Sequence, residues 1–197
     1  MADFNDVVVP ARFAPDERVV LVDVETAGLD QYSILLEVGV LVIDLDFNTI
    51  GWFHRLICPH IPEHYLYMAE FVREMHTKNG LLKDCYKDGR ERGQVGDHLI
   101  RWAKESGLTG GDPMGGSNSQ FDRNALLTQL FHADREKLGR YWHYRNIDVS
   151  STKETFKRFR KDVEIPEFKR NIHRVTEDLD DTREELRFYV EKLRESK

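Results

Sequence analysis

Two runs of β-branched and apolar residues lie close together near the start of the chain, and they constrain the fold more than any other feature. "RVVLVDVET" (18–26) is apolar until its polar end, and "LLEVGVLVIDLD" (35–46) has the same character. β-Branched residues lose side-chain freedom in a helix and pack well on a pleated sheet, so both runs read as buried strands. "FNT" then turns the chain, and "IGWFHRLI" (50–57) pairs back as a third strand. "CPHIPEH" is a proline-marked loop.

The rest of the chain alternates helix and strand. Helices are expected around 65–75 and across "QVGDHLIRWAKES" (94–106). "GLTGGDPMGG" (107–116) reads as a flexible loop before a short strand; it lacks the GxGxxG or P-loop spacing that would cradle a phosphate. "FDRNALLTQLF" (121–131) is an amphipathic helix with Leu126, Leu127, Leu130 and Phe131 on its apolar side. "YRNIDV" (144–149) is a strand, and "SSTKETFKRFRK" (150–161) a basic helix capped by Ser150 or Ser151. A last helix carries Leu179, Leu186, Val190 and Leu193 on one stripe. Strands first, then strand and helix mixed, implies a three-layer α/β fold with a central mixed β-sheet flanked by helices. Residues 1–197 read as one domain with an irregular lead-in over 1–16.

Composition narrows the setting. The 197 residues are 40% hydrophobic and 32% charged, as expected of a water-soluble globular chain. No apolar run approaches the roughly 18 residues of a membrane span. "MADFNDVVVP" lacks a basic stretch and an apolar core, so no secretory signal is expected. Two cysteines, Cys58 and Cys85, are too few for a disulfide framework, which suggests a reducing, cytoplasmic setting. The net charge of −6 argues against coating long nucleic acid with a broad basic surface. It leaves room for an enzyme that grips a short strand and neutralises phosphates with bound metal.

Acids at particular places point to such metal. In "VVLVDVET" the period of two puts Asp23 and Glu25 on one strand face, opposite Val20, Val22 and Val24. Two carboxylates roughly 7 Å apart at a strand end can hold divalent ions. The plain alternative is chance, since acids are common. Asp122 opens its helix, where the macrodipole favours an acid in any case. "HRVTEDLDDT" (173–182) offers His173 and four acids, Glu177, Asp178, Asp180 and Asp181. Thr176 reads as the N-cap, which puts Asp178 in the first turn. Asp180 then lies about 200° round the helix from Asp178 and Asp181 about 300°, so the three cannot share one pocket. His173, in the entry loop, can lean over the first-turn acid.

Together these pieces resemble the DEDDh 3′–5′ exonucleases, the DnaQ-like group with a ribonuclease H-like fold. The likeness runs from about residue 18 to 194. The family's D-x-E-T/M-x-G-L motif is matched by "DVETAGLD" from Asp23; its helix-opening Asp after a short glycine-led strand, by "GSNSQFD" ending at Asp122; and its H-x4-D, by His173 to Asp178. The oligoribonuclease branch is the nearest. "HRVTEDL" then "EEL" is similar to its "HRALDDI" then "EEL", and "VREMHTKNGL" (72–81) and "HYRNIDVS" (143–150) carry the likeness further. The chain departs from that branch at Phe71, where a tryptophan is usual, at "GSNS" in place of G-N-S-I, and at "ETAG", which is nearer the broader proofreading group.

The resemblance implies a 3′–5′ exonuclease that removes nucleotides from the 3′ end of short single-stranded RNA. Asp23, Glu25, Asp122 and Asp178 would hold two Mg²⁺ or Mn²⁺ ions, and His173 would be the general base, a role suited to imidazole near neutral pH. Leu29 would wedge at the terminal base and His76 would touch the substrate end. Tyr144 would reach the partner subunit's site in a homodimer. Within the enzyme class, the alternative is a DnaQ-like DNA exonuclease acting on DNA 3′ ends. Outside it stand two readings: a binding protein that kept the fold without catalysis, and a metal-binding module. The module would draw on Cys58, His60, His64, His54, His76 and Cys85, but the paired spacing of a structural zinc site is missing.

Overall fold

The computed structural model describes residues 6–30 and 32–195. Five strands form one sheet: β1 (Arg18–Thr26), β2 (Leu35–Asp44), β3 (Thr49–Leu56), β4 (Pro113–Gly116) and β5 (His143–Asp148). Their order across the sheet is β3-β2-β1-β4-β5. The β1–β2 and β2–β3 pairs are antiparallel, and β1–β4 and β4–β5 are parallel. The sheet is therefore mixed, as expected. Three helices on its faces are α3 (Arg92–Glu105), α4 (Ser119–Gln129) and α7 (Val175–Arg194). The others are α1 (Glu70–Lys78), α2 (Leu81–Asp88), α5 (Glu136–Gly139) and α6 (Val149–Phe159), the last as long as α4.

Alternation along the central strands builds two cores. Val20, Val22 and Val24 of β1 meet Val95, Leu99 and Trp102 of α3 and Ala125 and Leu126 of α4. Leu21 and Leu41 face the other way, onto Val149 and Phe156 of α6 and Leu179, Leu186 and Tyr189 of α7. Fully burying one such aliphatic side chain stabilises by about 1.5–3 kcal/mol, so helix docking fixes the sheet on both faces. A third cluster joins Leu36 and Leu56 to α1 and α2. The Arg18 guanidinium grips the buried Asp112 with two bonds, at 2.7 and 2.8 Å, and so ties the start of β1 to the chain entering β4.

Gly39 on β2 sets how closely α7 can lie. A Cβ there would come 2.9 Å from both Leu179 and Val175 side chains, so only glycine admits the helix at this depth.

Several local expectations shift. The helix placed around 65–75 begins at Glu70 and is followed by α2, which shows only a short amphipathic signal in the sequence. β4 lies inside the glycine-rich stretch read as a loop. Gly115 packs where a Cβ would be 2.8 Å from Leu21, so the glycines serve close strand approach. Asp148, not Ser150 or Ser151, caps α6 by accepting the Ser151 N–H at 2.7 Å. The described part of the irregular lead-in is docked: Val7 bridges to Trp52, and Val9 is buried in the core. Residues 1–5 of that lead-in lie outside the described residues. Leu193, placed on the buried stripe of the last helix, is exposed.

Candidate active site

Three elements deliver the acids to one place. Asp23 and Glu25 share the face of β1 that carries Leu21, turned towards α7. The pairing of β1 with β4 covers Val20 and Leu21, and β4 stops at Gly116. Beyond that stop the Val24 N–H donates to Asp122 Oδ1 at 3.2 Å. Asp122 is in the first turn of α4, reached through a tight turn in which Asn118 takes a left-handed φ of 64°. Asparagine tolerates that conformation better than most residues. The Ser119 N–H then donates to Asp148 Oδ2 at 2.8 Å, which holds the start of α4 against the end of β5.

Asp178 lies in the first turn of α7. The helix begins at Val175, with Arg174 as its flanking residue, rather than after Thr176. The reason is tertiary: Glu37 of β2 accepts the Val175 N–H at 3.2 Å. Glu25, His173 and Asp178 bring one ligand atom each to within 4.8 Å of one another. Among the described residues this is the one such cluster of histidine, cysteine and acid. Cys58, His60, His64, His54, His76 and Cys85 form none, so the metal-module reading has no geometric support.

The acids repel each other in a dry setting. Burial, then Asp122, Glu25 and Asp178, push the Asp23 carboxyl well above its ordinary range. Burial and Asp178 push Glu25 up to about 9. Burial pushes Asp122 up to about 8, against the Val24 N–H that favours its ionised form. Asp178 is raised too, chiefly by burial. Asp23 Oδ2 is fully enclosed and meets no donor among the described residues. Four hard oxygen donors with too little positive charge between them fit hard divalent cations, which take carboxylate ligands.

The neighbouring acids are engaged elsewhere. Asp180 pairs with Arg183 at 3.2 Å. Asp181 is buried, but it accepts the Arg170 backbone N–H at 2.8 Å and its Nε at 2.6 Å. Leu29 and Tyr144 are 78% and 74% exposed, free to meet another molecule. His76 differs from its expected place. It is fully buried, and its Nε2 donates to the Thr26 carbonyl at 3.0 Å, 3.9 Å from Glu25. It stands behind the carboxylates and presents no surface to a substrate.

Two further residues bear on the site, and the sequence reading gives neither a role. The Lys169 ammonium lies 3.9 Å from Asp178 Oδ1 and donates to Thr182 Oγ1 at 3.2 Å. Its charge opposes the upward shifts of Asp23, Asp122 and Asp178. No periodicity marks a lysine in a loop. The second is Glu37, an acid inside an apolar strand, which was visible as an anomaly in "LLEVGV".

No family profile matches the chain. It is 35% identical over 181 residues to an oligoribonuclease of Cutibacterium acnes, a match spanning 89% of this chain and 85% of that protein. It is 29% identical over 179 residues to an oligoribonuclease of Xanthomonas euvesicatoria pv. vesicatoria, at 90% of each. Among solved structures, E. coli exonuclease I in complex with a dT13 oligonucleotide superposes with a TM-score of 0.62 at 13% identity. That match covers 85% of this chain and 40% of the larger protein. The RNase domain of yeast Pop2 also gives 0.62, at 14% identity, over 88% of this chain and 76% of that one. The fold is thus that of the ribonuclease H-like, DnaQ-like exonucleases. Within that class, the chain belongs to the oligoribonuclease family of DEDDh 3′–5′ exonucleases.

Proposed function

We propose that the protein is a metal-dependent exonuclease that shortens small single-stranded RNAs from the 3′ end, the whole chain acting as one catalytic domain. The observation that carries this reading is the meeting of Asp23, Glu25, Asp122 and Asp178 beside His173, with carboxyls driven up by burial and by one another. These four acids would hold two divalent ions, Mg²⁺ or Mn²⁺, through their carboxylate oxygens. When bound, two such ions activate a water and stabilise the charge on the reacting phosphate and on the leaving oxygen.

The chain's own residues do the rest. His173 takes the proton of the attacking water as its oxygen bonds to phosphorus and the bond to the 3′ oxygen breaks. Its place within 4.8 Å of Glu25 and Asp178 suits that role. Lys169 offsets part of the negative charge beside Asp178. Leu29, exposed just beyond β1, lies against the terminal base. Tyr144, exposed on β5, reaches the site of a second copy in a homodimer. The two free cysteines suit a reducing, cytoplasmic setting, and no helix among the described residues is long and apolar enough to cross a membrane.

The test is a time course on end-labelled RNA and DNA, from dinucleotides to about 20-mers, with Mg²⁺ and then Mn²⁺. Stepwise loss from the 3′ end, fastest on RNAs of about two to five residues, is expected, because a base-stacking contact worth about 1–3 kcal/mol counts most where contacts are few. Faster digestion of long DNA would move the protein to the DNA-degrading exonucleases.

A further inference from the structure

Glu37 is the third residue of β2, its side chain fully buried, and it is not one of the four acids of the cluster. A buried carboxylate needs an explanation, since an unpaired one is strongly disfavoured. Here its hydrogen-bond partners are all donors. His54 Nε2 donates to Oε1 at 2.8 Å. Arg174 donates from Nη2 to Oε1 at 3.1 Å and from Nε to Oε2 at 3.2 Å. The Val175 N–H donates to Oε2 at 3.2 Å. α7 has no side-chain cap from its own flanking residue, so the sheet supplies it.

The same contacts grip the chain around His173. Arg174 Nη1 reaches Asp84 at 3.0 Å. Asn79 Nδ2 donates to the Ile172 carbonyl at 3.0 Å and to the His173 carbonyl at 2.6 Å. Residues 172, 173, 174 and 175 are thus each held by a group from β2 or from the α1–α2 junction. Between these anchors His173 has a φ of 58°. Side chains other than glycine rarely adopt that left-handed region unless their surroundings impose it. Glu37 is also the cross-strand partner of Glu25. The group that fixes the chain at His173 is therefore directly opposite a carboxylate of the cluster.

We infer that Glu37 is a positioning residue for His173: through Arg174 and the Val175 N–H, and with Asn79 on the other side, it holds the imidazole in register with Glu25 and Asp178. This rests on the reading of His173 as proton acceptor. Misplacing a reacting group by about an ångström costs on the order of 10²-fold in rate.

The experiment is a double-mutant cycle on short RNA with Mn²⁺. It measures kcat and KM for wild type, Glu37→Gln, Arg174→Gln, His173→Ala and the two combinations with His173→Ala. Circular dichroism melts report the folded fraction. Arg174→Gln covers the case in which Glu37→Gln fails to fold, because Arg174 is partly exposed. The expected result is a fall in kcat of about 10- to 100-fold for either clamp variant with KM changed little, and no further loss when His173 is already alanine. An equal loss in both backgrounds, or a lower melting temperature with kcat per folded molecule unchanged, would overturn the proposal and leave Glu37 as framework. If His173→Ala alone keeps wild-type kcat, the general-base reading fails first and takes the clamp with it.

Discussion

Glu25 and Glu37 face each other across the β1–β2 ladder, both buried, on the same side of the sheet. Like charges directly opposite are unfavourable, and the protein resolves the conflict by treating the two in opposite ways. Burial raises Glu37, but hydrogen bonds from His54 and Arg174 outweigh it and hold the carboxyl below its ordinary range. Glu25 is pushed up to about 9 by burial, then by Asp178, by Glu37 itself and by Asp122. One glutamate is balanced by its donors and grips Arg174 and Val175 beside His173. The other is left unbalanced among acids. Local electrostatic frustration of this kind marks a functional site where a balanced ion pair does not.

The largest effect should come from the unbalanced side. Asp23→Ala, Glu25→Ala, Asp122→Ala or Asp178→Ala should each abolish 3′-end hydrolysis in a gel assay and leave the far-UV circular dichroism of the protein intact. Asp180→Ala and Asp181→Ala should keep activity, since Arg183 and Arg170 already engage those acids. A dead Asp181→Ala beside an active Asp178→Ala would exchange their roles.

His173→Ala should lower kcat by about 10²–10⁴-fold, the usual loss for a general base. Mn²⁺ affinity by titration should change little, and the acidic limb of the pH–rate profile should disappear. A large loss of Mn²⁺ binding would instead make His173 a ligand.

The two glutamates should part company in stability. Glu25→Gln removes a charge that the metal-free protein cannot accommodate, so its melting temperature in chelator at pH 9 should rise. Glu37→Gln keeps one acceptor oxygen but sets an NH2 group where the other received Arg174 Nε and the Val175 N–H, and should destabilise by about 1–3 kcal/mol, the cost of donors left unmet. Shifts of the same sign in both variants would dissolve the contrast drawn here.

Proton linkage acts on the same metal-free carboxyls. Glu25 is raised from 4.5 to about 9 and Asp122 from 3.8 to about 8. The folded, metal-free protein therefore keeps protons that the unfolded chain has shed. Their stabilisation is complete below the ordinary carboxylate range and is lost as pH rises through about 8 to 9. Melts in chelator should fall from pH 6 to pH 9, and Mg²⁺ should remove most of that slope. The smallest change is expected at Tyr144. Tyr144→Ala should weaken dinucleotide binding by about 1–3 kcal/mol and longer substrates less, with activity that falls on dilution if a second copy is needed.

Much of this was legible in the chain itself. The alternation in "VVLVDVET" placed Asp23 and Glu25 on one face, and helix geometry separated Asp178 from Asp180 and Asp181. Those are short-range regularities, set by strand and helix periods, and they survive folding unchanged. The mixed sheet followed from the order of strands and helices. Element ends moved by a few residues where tertiary partners intervened, as at Val175, whose N–H Glu37 takes, and at β4, whose glycines serve contact with β1.

What no period can encode is the sum of charges around a side chain. Glu37 and Arg174 are 137 positions apart, Val24 and Asp122 are 98, and His76 and Thr26 are 50. Whether Glu25 keeps a proton, whether His76 faces solvent or the core, and whether Lys169 reaches Asp178 depend on which distant groups the fold brings within a few ångströms. Coulomb energies and burial depend on those distances and on the exclusion of water, neither of which exists until the sheet and its helices have closed together.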